Sequence, residues 1–139
     1  MKELNVEAKD ENLQQVLDFV NEQLEAFDCA PQVQFQVEVA VEEIFVNISH
    51  YAYNPEVGPA TIRAEVSKEP LAVTLTFMDH GKPFDPLVKS DPDVSDVGEN
   101  DEIGGLGIFM VKKSMDYVDY EYKDGQNILT IKKNLSTKG

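Results

Sequence analysis

A chain of 139 residues with 12 Lys+Arg against 26 Asp+Glu carries a net charge of −14. That balance works against binding nucleic acid directly or lying on an anionic membrane, since both need excess positive charge, and it permits a basic protein partner. Hydrophobic content of 42% with 27% charged residues suits one globular domain, 1–139, able to bury roughly 68–70% of its unfolded surface.

The lone Cys29 cannot form an internal disulfide and has no His or Cys cluster beside it, so it reads as a small packing residue in a reducing compartment. The N-terminus lacks a signal-peptide apolar run and no stretch approaches a membrane span, so a cytoplasmic protein is expected.

In chain order, Met1 to Ala8 alternates about Leu4 and Val6 and predicts a short strand. Asp10 is placed to cap the following helix, which should run to about Phe27 and bury Leu13, Val16, Leu17, Val20, Leu24 and Phe27. A second helix should begin near Pro31 and run to about Tyr51, before Asn54-Pro55 ends it. Its apolar face is Val37, Val41, Ile44 and Ile48. At roughly 100° per residue, Glu43 and Asn47 stack one turn apart on the flank of that face, with Glu42 pointing elsewhere. A Glu-x-x-x-Asn pair is common on helices, and taken alone it is more often the polar edge of a helix meeting water.

Ala60 to Ser67 and Leu71 to Met78 alternate with period two around Lys68-Glu69-Pro70, a predicted hairpin. The second strand runs into Asp79-His80-Gly81-Lys82-Pro83-Phe84-Asp85. Gly81 would let a flat ligand approach the backbone, and an ionised Asp79 accepts from an exocyclic amine; Asp-x-Gly is also a common turn.

Lys89 to Glu102 is an acidic segment with little periodicity. Its acids partly match a calcium loop, but Asp96 stands where that loop needs Gly; a mobile lid is the better reading, with a solvated surface loop as the alternative. Gly104-Gly105-Leu106-Gly107 then precedes a helix holding Ile108, Val111 and Met115. Backbone N–H groups there can face an anion at the positive end of the helix dipole, although no Walker Lys-Ser/Thr follows. Tyr117 to Tyr122 and Asn127 to Lys132 predict a last hairpin about Asp124-Gly125, and Asn134 to Gly139 should fray. Strands in hairpins with helices between them predict an α+β fold, a two-layer sandwich of a mixed, mostly antiparallel sheet with helices on one face.

Three spots, in this order, supply a carboxylate beside an amide, an acceptor for an amino group, and a phosphate cradle. Here the chain resembles the GHKL superfamily of ATPases and kinases, and within it the small bacterial serine kinases that act as anti-sigma factors. The carrying residues are Glu43 and Asn47 in the helical box, then Asp79, Gly81, Phe84 and Asp85, and then Gly104 to Gly107. Met115 to Val118 and Gly125-Gln126-Asn127 add to the match.

The resemblance implies a Bergerat-type ATP-binding sandwich. It implies that Asp79 binds the adenine amino group, with Gly81 leaving room for the base and Phe84 lying in the same box. It assigns Mg²⁺ ligation to Asn47, phosphate contacts to the Gly104, Gly105, Leu106 and Gly107 backbone, and the general-base role to Glu43. Implied partners are an anti-anti-sigma-type protein substrate and a sigma factor, with a homodimer open. Many relatives carry His four residues after the box Asn. This chain has Tyr51 there and His50 one place earlier, on the Glu43 side of the helix. Kinase, ATP-binding regulatory module and ATP hydrolase all need the same residues, so all three readings stand.

Overall fold

The computed structural model describes residues 1–27, 29–53, 56–68, 71–83 and 110–135. Strand β1 (Lys2–Glu7) leads through a 3-10 turn (Asp10–Asn12) into helix α1 (Leu13–Glu25), followed by helix α2 (Pro31–Asn47). Strands β2 (Pro59–Ser67) and β3 (Ala72–Asp79) come next, then a helical segment at 110–114, and finally β4 (Tyr117–Lys123) and β5 (Gln126–Asn134).

The five described strands form one sheet in the order β1-β2-β3-β5-β4, with every neighbouring pair antiparallel. The expected α+β sandwich is therefore present, and the sheet needs no parallel pair among the described residues. Asp124 and Gly125 both have positive φ (54° and 77°), the backbone a two-residue hairpin of primed type requires.

Period two decides the sheet's inner face. Ala60, Ile62 and Ala64 of β2, Val73, Leu75 and Phe77 of β3, and Leu129 and Ile131 of β5 are all buried. They pack in one core against Val16, Val20 and Leu24 of α1 and Val33, Val37, Val41, Ile44 and Phe45 of α2. A fully buried Val, Ile or Phe side chain contributes about 1.5–3 kcal/mol relative to exposure, so packing on this face sets where α2 lies. The flank residues Glu43 and Asn47 are carried on that fixed rod.

Three sequence expectations change. Asp10 makes no capping bond to α1; its carboxylate accepts instead from Ser49 Oγ (2.8 Å) and pairs with His50 Nε2 (2.8 Å), ties that outcompete a local cap. Helix α2 does not stay α-helical to Tyr51 but widens into a π-helical turn over Ile48–Ala52. Asn134 and Leu135 do not fray: Leu135 is 3% exposed and its N–H donates to the Leu71 carbonyl (2.8 Å).

Among the described residues, no helix is long and apolar enough to cross a membrane. Cys29 is half-buried against the core, and burial raises its thiol pKa, as fits a packing residue. The predicted turn at Glu69-Pro70, the acidic segment, and the expected site residues Phe84, Asp85 and Gly104 to Gly107 lie outside the described residues.

Candidate functional site

Asp79 continues the inward alternation Val73, Leu75, Phe77, so the last residue of β3 points a carboxylate into the core layer, where it is 4% exposed. Such a group is tolerated only if hydrogen-bonded. Gly81 N–H donates to Asp79 Oδ1 at 2.8 Å, and the Asn127 amide donates to the same oxygen at 2.8 Å. Burial pushes the Asp79 pKa up; the Asn127 amide, the Gly81 N–H and the His80 charge act in the opposite direction. Both donors meet at Oδ1, which leaves Oδ2 without a partner among the described residues.

Asn127 faces Asp79 directly across the β3–β5 ladder. Its Nδ2 also donates to the Lys82 carbonyl (2.9 Å), and its Oδ1 accepts from the Tyr120 hydroxyl. The turn after Asp79 is held from the helix side as well. Ala52, at the end of the π turn, offers a carbonyl with no helical continuation, and it accepts Lys82 N–H at 3.1 Å. Tyr53 adds a pin between strands, its hydroxyl donating to the Pro59 carbonyl (2.6 Å) and accepting from His80 N–H (2.7 Å).

Gly81 is required for this contact on steric grounds. A Cβ there would fall 2.2 Å from the Ala52 carbonyl oxygen and 2.6 Å from the Ala52 Cβ. Gly81→Ala is expected to lower stability by about 1–3 kcal/mol, the usual cost of overpacking, and to weaken ligand binding as the turn shifts. Urea titration measures the first; a midpoint equal to the parent's would show that the contact yields freely.

These pieces line a partly open pocket between the end of α2 and the inner sheet face. Its apolar walls are Ile44, Ile48, Phe77 and Leu129; its polar groups include Asn47, Tyr51, Asp79, Lys82 and Asn127. Asn47 and Asp79, 32 positions apart in sequence (79 − 47), thus share one cavity, as the motif order requires. The Asn47 carboxamide has no hydrogen bond among the described residues, which keeps it available to a ligand. An apolar slot with a carboxylate acceptor at its floor suits a flat ring bearing an amino donor and disfavours a carbonyl at that point.

Glu43 is half-buried one turn before Asn47 and does not itself line the cavity. Burial, and then the charge of Glu42, raise its pKa. His50 does not join the site: it is exposed and held by Asp10, whereas Tyr51, at the position where many relatives carry His, is among the lining residues. Sequence reasoning missed Asn127, Tyr120, Tyr53 and Lys82 as site residues. Asn127 had one legible signal, a polar residue in phase with Leu129 and Ile131 on the buried face of a strand.

Residues 6–133 match the family described as the histidine kinase-like ATPase domain. The chain is 26% identical over 100 residues to the serine/threonine-protein kinase BtrW of Bordetella bronchiseptica, covering 72% of this chain and 70% of that protein. It is 32% identical over 101 residues to the serine-protein kinase RsbW of Listeria monocytogenes, covering 69% of this chain and 63% of the relative. The crystal structure of the RsbU and RsbW domains of a Mycobacterium tuberculosis protein aligns with a TM-score of 0.69 at 15% identity, covering 100% of this chain and 34% of that one, a likeness of fold. With the family match running from β1 through the Asn47 helix and the Asp79 strand into β5, this chain belongs to the histidine kinase-like ATPase domain family.

Proposed function

We propose that the chain is an ATP-dependent protein serine/threonine kinase that acts as an anti-sigma factor and phosphorylates an anti-anti-sigma partner in the cytoplasm. The observation that carries the ATP site is the cavity lined by both Asn47 and Asp79. The similarity to BtrW, a serine/threonine-protein kinase, and RsbW, a serine-protein kinase, supports the kinase reading.

In this reading Asp79 accepts from the adenine amino group, and Gly81 lets the turn after Asp79 pack against Ala52, which holds that acceptor in place. Phe84 and the Gly104, Gly105, Leu106 and Gly107 backbone complete the nucleotide contacts. Glu43 takes the proton of the partner's serine hydroxyl as its oxygen bonds to the γ-phosphorus; the bond from that phosphorus to the bridging oxygen breaks and ADP leaves.

Among the described residues no cluster of three or more His, Cys, Asp or Glu could hold a metal ion. The donor set fits Mg²⁺ nonetheless, because that ion keeps several waters and leans on substrate phosphates, so one amide oxygen from Asn47 suffices. When bound, Mg²⁺ supplies charge neutralisation at the phosphates. A homodimer is compatible with this assignment.

Two observations favour a second reading, an ATP-binding regulatory module without transfer: Tyr51 lines the cavity and Glu43 stands back from it. The experiment is label transfer from γ-labelled ATP, with Mg²⁺, to proteins captured on the chain from its own cell extract. Labelled serine in a captured protein is the expected result. ATP retained without turnover would establish the regulatory module, and free labelled phosphate would indicate a hydrolase.

A further inference from the structure

We infer that Asn127, with Tyr120 behind it, is a positioning residue that sets the base selectivity of the cavity by holding Asp79 with one carboxylate oxygen aimed at an exocyclic amine. The inference rests on reading the cavity as an adenine nucleotide site.

Asn127 occupies an inward position on β5, in line with Leu129 and Ile131, and is 7% exposed. A primary amide buried there is costly unless its hydrogen bonds are made. On one side of the amide lie three acceptors, Asp79 Oδ1 at 2.8 Å, the Lys82 carbonyl at 2.9 Å and the Gly81 carbonyl at 3.4 Å. On the other lies the Tyr120 hydroxyl of β4, which can donate. The chemistry of these neighbours therefore fixes which end is nitrogen, since a flipped amide would set its oxygen against a carboxylate and a carbonyl.

So oriented, Asn127 ties the end of β3 to the turn that follows it and occupies Oδ1 together with the Gly81 N–H. Rotation of the Asp79 carboxylate about its Cβ–Cγ bond would break both bonds at once. Oδ2 is thereby kept as the acceptor that meets the ligand. Donation to the carboxylate also favours its ionised form against the burial that raises its pKa. A protonated Asp79 would offer a donor as well as an acceptor and lose its preference for an amine.

The test compares binding of ATP with that of purine riboside triphosphate, which lacks the 6-amino group, by calorimetry on the full chain. The parent should prefer ATP. Asn127→Leu, of similar volume, should cut that preference by about tenfold, the worth of roughly one charge-assisted hydrogen bond. Because Asn127 also lines the cavity, affinity for the analogue should fall as well, but by a smaller factor than affinity for ATP.

Tyr120→Phe removes one hydroxyl and should cut the preference by a smaller factor; it carries the test if the Asn127 variant fails to fold. Equal loss of both ligands would make Asn127 a mere scaffold residue, and an ATP preference unchanged in the variants would overturn the inference. A parent that does not distinguish the two nucleotides would instead sink the adenine-site reading itself.

Discussion

Replacing Glu43 by glutamine is expected to lower phosphotransfer by about 10²–10⁴-fold, the usual contribution of a positioned general base, with ATP binding kept. The side chain sits one turn before Asn47 on a helix that the core holds in place, and its carboxylate has no hydrogen bond among the described residues. It stands back from the cavity wall, so its loss should leave the nucleotide contacts intact.

Burial and the neighbouring Glu42 charge raise its pKa, which makes it a better base than a solvated glutamate and places its titration closer to neutrality. Only the ionised form can take the serine proton. Activity should therefore fall as pH drops through this raised pKa, at a higher pH than an ordinary glutamate would give. Glu42→Gln should move that limb to lower pH, because it removes a repelling charge.

Stability runs the other way. A carboxyl group whose folded pKa is raised contributes stability that is fully present below its unfolded pKa and is lost as pH rises through the folded one. A pH–rate profile of parent and variants measures the catalytic limb. A Glu43→Gln variant that retains a tenth of the parental rate would remove this residue as the base.

Asp79→Asn should weaken ATP binding by about 1–3 kcal/mol, the penalty for a buried polar contact left unmade. The fold should survive, because an asparagine oxygen can still accept from Gly81 and Asn127. Its amide nitrogen would then face the cavity, setting donor against the adenine amine. A 6-oxo purine nucleotide such as ITP presents an acceptor at that point, so its affinity should fall less than that of ATP, or rise. Calorimetry with both nucleotides decides this. Parallel losses would mean that the substitution damages the cavity as a whole, and unchanged ATP affinity would place the base elsewhere.

Much of the fold was open to reading because it follows from local periodicity. The alternation over Ala60 to Ser67 and Leu71 to Met78 marked two strands. The stripe of Val37, Val41 and Ile44 marked a buried helix face, and Asp124-Gly125 marked a hairpin turn. The Glu43–Asn47 pairing was legible for the same reason, since one turn of helix fixes which residues are neighbours. Asp10 shows the limit of such reasoning. As a local cap it was a sound expectation, but Ser49 and His50, 39 and 40 residues away, offered its carboxylate two partners.

From the order of its residues, then, this chain determined its described strands and helices and their inward faces. Tertiary structure decided which strand lies beside β3. Because β5 takes that place, Asn127 meets Asp79 across 48 residues of sequence, and the π turn brings the Ala52 carbonyl onto Lys82 N–H. Periodicity assigns a side chain to a face without naming its partner across a long connection, and Asn127, which joins the local Gly81 N–H in tuning the buried Asp79 carboxylate, is a partner of that second kind.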